Sequence, residues 1–178
     1  MKKLFILILT FSFYFANAQK GALTVKKYTV GFKIKNANIY VSGVFNGVTA
    51  DLNFDPSNPV LGSFEGKLDV SSLATGIEMR DKHLKKAEFF DVKNNPFIII
   101  KSVSITKVKE NTYSAKCSLT LKGKTKEVVL PFTIVNNGTT YEIKGVLSLK
   151  RLDFGIGSPS VIMSNNVEVL LNFTVAQN

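Results

Sequence analysis

The sequence has no tryptophan, one histidine and one cysteine among its 178 residues. Each scarcity removes a class of function. A lone cysteine, Cys117, cannot form an intramolecular disulfide. It alternates with Ala115, Leu119 and Leu121, which reads as a small core residue rather than a reactive thiol; a reactive thiol needs exposure and a basic neighbour. A lone histidine, His83, cannot build a zinc site of the His/Cys kind, and no second soft ligand stands at a motif spacing. No G-x-S-x-G elbow accompanies His83. Asp81 is too close along the same helix to point at it. Gly155-Ile156-Gly157 precedes no helix, so it is not a phosphate loop. The residues therefore predict no metal site, no cofactor and no catalytic centre. His83 reads instead as a hydrogen-bonded fastener.

Long apolar runs are also missing, with one exception at the start. Lys2 and Lys3 precede an apolar stretch from Leu4 to Phe15, and Ala16-Asn17-Ala18 follows. That order is the pattern of a secretory signal peptide, and the stretch is short for a membrane span. Residues 1–18 are thus expected to be cleaved, leaving 19–178 as a single exported, periplasmic domain. Without Lys2 and Lys3 the chain has 21 basic and 13 acidic residues, a net charge of +8. Such a surface favours anionic membranes and, on charge alone, nucleic acid. Export makes nucleic acid an unsuitable partner. The lysines are spread along many segments, which reads as a solvated outer face with transient membrane contact as the partner it would allow.

What the chain does have is alternation. Tyr113, Ala115, Cys117, Leu119 and Leu121 share one face, opposite Ser114, Lys116, Ser118, Thr120 and Lys122. Val128, Leu130, Phe132 and Ile134 share another face, as do Tyr141, Ile143, Gly145, Leu147 and Leu149. Upstream, Tyr28, Val30, Phe32 and Ile34 form such a set, as do Val48, Ala50, Leu52 and Phe54, and then Phe64, Leu68 and Val70. In the run from Lys101 to Lys107, lysines share the side of Val103 and Ile105, so alternation assigns no face there. Lys109-Glu110-Asn111, Gly123-Lys124 and Asn136-Asn137-Gly138 read as hairpin turns. About eight strands, each with one apolar face, must close or stack to hide it. A barrel with room for one ligand and a two-sheet sandwich both satisfy the pattern. An outer-membrane barrel does not, because Lys, Glu and Asp would face lipid at roughly 2–4 kcal/mol per basic residue.

Between Thr75 and Pro96 the alternation stops and a helical insert is predicted. Thr75-x-x-Glu78 reads as a capping box, and Glu78→Lys82 and Asp81→Lys85 as favourable i,i+4 pairs. Met79, His83, Leu84, Ala87 and Phe90 form an apolar stripe expected to face inward across one end of the β-structure. Arg80 and Asp81 are expected to tie the insert to its surroundings, and Asn94-Asn95-Pro96 to end it. The fourteen phenylalanines are the remaining anomaly. Those outside the leader are ordinary core or the walls of an apolar tunnel.

Thr75-Gly76, Arg80-Asp81-x-His83-Leu84, Glu88-Phe89-Phe90-Asp91 and Pro96 together resemble the central signature of the YceI-like family. The resemblance continues through Val30-x-Phe32-x-Ile34, Gly43-x-Phe45 and Phe54-Asp55. It extends through Leu119-Thr120-Leu121-Lys122-Gly123-Lys124-Thr125 and Arg151-x-Asp153-Phe154-Gly155-Ile156-Gly157. Where many members carry a histidine near the end of the first strand, Asn36 and Asn38 stand here. The resemblance implies an extended eight-stranded antiparallel lipocalin-like barrel, all-β with a short helical insert. It also implies an isoprenoid-type lipid, such as a polyprenyl chain or an isoprenoid quinone, held inside. The expected ligand contacts are Phe32, Phe45, Phe54, Phe64, Phe89, Phe90, Phe97, Leu119 and Phe132, with Thr75, Arg80, Asp81 and His83 structuring the insert. A fatty acid or fatty amide is the alternative ligand. A secreted hydrolase using His83 and a filled barrel acting through its basic outside are the other readings.

Overall fold

The hairpins turn where backbone φ is positive. Ala37 (48°) and Asn38 (66°) make the first, Asn111 (55°) a later one, and Lys122 (49°) with Gly123 (69°) another. Two-residue turns of this hand match the twist of the strands they join, and Gly and Asn adopt them at little cost. Asn111 and Gly123 were legible as turn residues. The left-handed Lys122 was not.

The computed structural model describes residues 22–177. The expected leader, 1–18, lies outside the described residues. The strands are β1 (Ala22–Asn36), β2 (Ile39–Phe45), β3 (Val48–Asp55), β4 (Asn58–Asp69), β5 (Leu73–Ala74), β6 (Phe97–Lys109), β7 (Thr112–Leu121), β8 (Lys124–Asn136), β9 (Tyr141–Lys150) and β10 (Met163–Gln177), with one helix, α1 (Glu78–Leu84). All pairings are antiparallel. β2 pairs with the end of β1 and β3 with its start, so β2 and β3 act as one strand broken at Asn46-Gly47. β4, β6, β7, β8, β9 and β10 follow in order, and β10 returns to β1 along its length, Leu23 opposite Gln177 through Asn36 opposite Met163. That last ladder closes the ring. The fold is an eight-stranded antiparallel barrel, and the sandwich is excluded.

The inward faces follow the alternation read from the sequence. Tyr113, Ala115, Cys117, Leu119 and Leu121 are all buried, as are Leu130, Phe132 and Ile134. In β6 the alternation fails for a local reason. The register against β7 shifts between Ser102 and Ser104, so one extra residue enters the strand. Ile98 and Ile105 are therefore both buried despite their odd separation, and Val103 is 67% exposed.

The barrel has two unlike ends. The connections at 37–38, 70–96, 122–123 and 151–162 meet at the end where β1 finishes, here called the upper end. The lower end is filled largely by aromatic rings. The Tyr113 and Phe132 rings stack with centroids 5.5 Å apart, and Phe64 meets Phe132 edge-on at 6.4 Å. Cys117 lies in this wall, wholly buried, and desolvation raises its thiol from 9.0 to about 11. Folding thus favours the protonated thiol. Its contribution is full below pH 9 and is lost as pH rises towards 11. At pH 8 an alkylating reagent is expected to leave folded Cys117 unmodified for hours and to label it within minutes in denaturant. Rapid labelling of the native protein would contradict this placement.

Candidate functional site

The upper half of the barrel is hollow. A cavity of about 400 Å³ lies between the strands. Its walls are the inward residues of β1 (Val30, Phe32, Ile34), β6 (Ile98, Ile100), β7 (Leu119, Leu121), β9 (Leu147, Leu149) and β10 (Val167, Val169, Leu171). A second space of about 80 Å³ lies below and shares Val30, Leu68, Ile100 and Leu171 with it. The hollow narrows downward until Phe54, Phe64 and Phe132 fill the section.

Of the residues singled out from the sequence, Phe32, Phe45, Phe89, Phe90 and Leu119 line the larger cavity. Phe54, Phe64 and Phe132 line the smaller one. Phe97 lines neither. It begins β6 one residue before the inward Ile98, so strand parity turns it outward; it is 40% exposed, with Lys67 Nζ 3.7 Å from its ring centre. Gly43 explains how Phe32 reaches the cavity, since a Cβ there would stand 2.6 Å from the Phe32 ring. A chain of rings then runs from wall to roof, Phe32 to Phe45 (6.1 Å) and Phe45 to Phe90 (6.2 Å, edge-on).

The insert forms the roof, but not as a capped helix from Thr75 to Asp91. α1 spans seven residues, and its N-cap is Ile77, which has no side-chain cap. Thr75 is instead one member of a three-residue knot. Its N–H and hydroxyl both donate to Asp81 Oδ1, the N–H at 2.9 Å. Arg80 donates Nε to Thr75 Oγ1 and Nη2 to its carbonyl, both at 2.8 Å. Asp81 is therefore drawn back to Thr75 rather than along the helix to Lys85. Glu78 pairs with Lys82 (2.6 Å) as the spacing predicts. Met79 is 82% exposed, so the apolar stripe is narrower than expected and only its His83, Leu84 and Phe90 members reach the cavity. Beyond Leu84 the chain turns irregularly, and that irregularity lets Phe89 and Phe90 both point at the hollow.

His83 is a fastener within this roof. Its Nε2 lies 2.8 Å from Glu88 Oε1, and its ring packs edge-on against Phe89 at 5.0 Å. The Glu88 carbonyl in turn accepts from Gly157 N–H (2.8 Å) and Lys122 Nζ (3.2 Å), while Lys122 also donates to the Gly155 carbonyl (2.7 Å). The roof is thereby latched to two loops. Gly157 adopts φ 65°, and a Cβ there would press on Arg151 and Phe89 at 3.1 Å.

Two polar residues of the cavity wall were not singled out from the sequence as site residues. Arg151 is only 4% exposed. Its guanidinium donates to the carbonyls of Ile156 (2.8 Å), Ser158 (2.9 Å), Ser164 (2.9 Å) and Met163 (3.4 Å), and burial lowers its pKa. It holds the whole 151–164 loop in place. The other is Asn36, opposite Met163, whose Oδ1 is buried without a hydrogen-bond partner. It is the one such side-chain atom among the described residues, and it belongs to the lining of the larger cavity. Among the described residues no group of three or more His, Cys, Asp and Glu could hold a metal ion.

A model of the YceI-like domain matches residues 22–175. A UPF0312 protein of Pseudomonas aeruginosa is 32% identical over 152 residues, covering 80% of this chain and 78% of that one. Among solved structures, Burkholderia cenocepacia BcnA superposes with a TM-score of 0.81 at 29% identity, covering 85% of this chain and 99% of that one. A polyisoprenoid binding domain from Saccharophagus degradans, implicated in plant cell wall breakdown, shares the fold with a TM-score of 0.69 at 12% identity, over 90% of this chain and 99% of that one.

Proposed function

The chain belongs to the YceI-like family, and from its cavity we propose that it is a periplasmic carrier or store that holds an isoprenoid-type lipid inside the barrel and performs no chemistry on it. The hollow carries this reading. A sealed core would be packed to crystal density, whereas here sixteen apolar strand residues, with Asn36 the one polar strand residue among them, face about 400 Å³ of space. That volume is within the usual range for small-molecule sites. The description of the Saccharophagus domain as polyisoprenoid binding supports the same class of ligand, at the level of a shared fold.

The energetics suit a carrier. Each buried CH₂ is worth about 0.8 kcal/mol against water, so a few five-carbon units supply ample gross affinity. The physiological exchange is membrane to cavity, where both sides are apolar and the difference is small. Selection then falls to shape and to the polar groups. Arg151 spends four of its five N–H donors on loop carbonyls, and Asn36 Oδ1 is the buried acceptor of the wall without a partner among the described residues. A neutral headgroup with a donor, such as a hydroxyl or an amide, satisfies it.

Asn36→Leu is expected to weaken binding of a prenyl alcohol or a fatty amide about 3–10-fold, the net worth of one hydrogen bond. Binding of a headless prenyl hydrocarbon should hold or tighten. Equal losses for both probes would remove Asn36 from recognition. The reading as a whole is tested by organic extraction of protein purified from its native host, followed by mass spectrometry. A prenyl lipid is expected. A fatty acid or amide would replace the ligand class, and repeated recovery of no lipid would end the proposal.

A further inference from the structure

The lysines are spread over the whole barrel, but the net charge is not. The four upper connections with their flanks, residues 35–40, 70–96, 120–126 and 149–165, contain eleven Lys and Arg against five Asp and Glu. The rest of the described chain has nine against eight. Nearly all of the net positive charge therefore sits at the end where the cavity lies. Exposed apolar side chains gather at the same end: Ile39 (66%), Tyr40 (67%), Ile77, Met79, Val161 and Ile162. Backbone pairing draws their segments together. Ala37 N–H donates to the Ile162 carbonyl at 2.8 Å, and β5 pairs Ala74 with Val44, which carries the following Ile77 alongside β2. Val161 stands wholly clear of the protein. The remaining exposed large hydrophobics of the described residues are scattered along the outer wall and at the lower end, where net charge is near zero.

We propose that this upper rim is a docking surface for an anionic lipid bilayer, with the apolar tips entering the interface and the lysines meeting the headgroups. Apolar tips ringed by cations are the combination that binds such a surface, through buried area and electrostatic attraction together. A protein partner would meet the same tips, but six exposed lysines spread over four separate connections (Lys35, Lys86, Lys93, Lys124, Lys126 and Lys150) suit a fluid layer of anions better than a fixed acidic face. Docking this end places the latched roof against the membrane, so that a lipid could enter or leave without crossing water. The surface is independent of which ligand the cavity holds.

Vesicle flotation tests it, with phosphatidylcholine alone and with about one-third phosphatidylglycerol. The protein is expected to float several-fold more with the anionic vesicles and to be released by salt. Replacing Met79, Val161 and Ile162 with Ser, or Lys35, Lys86 and Lys150 with Glu, should each reduce flotation at least fivefold. The matched sets elsewhere, Leu61, Val103 and Val108 to Ser and Lys107, Lys109 and Lys116 to Glu, should leave it within twofold. Equal losses from rim and control sets, no effect of the apolar rim set, or no flotation of the parent protein would each overturn the proposal. Lipid recovered by extraction is unaffected by these outcomes, so failure of the docking surface and failure of the cavity assignment are told apart.

Discussion

A double substitution of Ile100 and Val169 by tryptophan is expected to yield a folded protein that carries at least tenfold less lipid than the parent. The two residues lie on β6 and β10, on opposite sides of the barrel, and both face the 400 Å³ cavity. In a close-packed core, added volume costs about 1–3 kcal/mol through forced rotamers and shifted backbone. Here each indole enters space already present, so the stability change should be small while the ligand's room is taken. A matched control, Leu61→Trp, is on the outer surface and 86% exposed, and should leave occupancy unchanged. If the double variant retains its lipid, the ligand is held elsewhere than between these strands. If it fails to fold, the single variants, each filling half as much space, carry the same comparison.

The largest effect on stability is expected at Arg151. Its side chain is nearly wholly buried and holds four carbonyls of the 156–164 segment. Arg151→Met keeps much of the apolar volume and leaves those acceptors without their donor. An orphaned buried acceptor costs about 1–3 kcal/mol, less where the loop relaxes towards water. A loss of about 3–5 kcal/mol is expected, or roughly 10 °C in Tm for a chain of this size. Arg151→Lys should recover little, because one ammonium cannot reproduce a planar fork spread over several carbonyls. The same loop supplies Gly155 and Gly157 to the roof latch, so ligand exchange should also quicken. A Tm within 2 °C of the parent for Arg151→Met would show that the carbonyl cage is not what holds this loop.

Most of the barrel was legible because period-2 alternation marks six of the eight walls, β1, β3, β4, β7, β8 and β9, and the turn residues mark their ends. Ala115, Cys117, Leu119 and Leu121 needed no tertiary information to be placed inside. β6 was not legible, since a bulge at Ser102–Ser104 changes parity without any glycine or proline to announce it. Phe97 was misplaced for a related reason: phenylalanine content suggested a cavity wall, but only the strand's phase decides which ring faces in. Thr75 fitted a capping box by spacing, and a stronger competitor six residues further along, Asp81, took its hydroxyl. Neither the Arg151 cage nor the unpaired Asn36 has a local signature. Both depend on β1, β10 and the late loop meeting at one end, as does the net positive charge gathered from four separate connections. Alternation reports which face a residue occupies, not which end of a closed barrel it reaches.

The cavity assignment stands or falls on occupancy. Native mass spectrometry of the protein released from its own host without detergent measures it directly. An upper hollow that holds an isoprenoid-type lipid predicts a protein species heavier than the bare chain by the mass of one prenyl lipid, lost on collisional activation and absent from the Ile100→Trp, Val169→Trp variant. A single species at the mass of the bare chain, under conditions that preserve lipid complexes of comparable proteins, would contradict it.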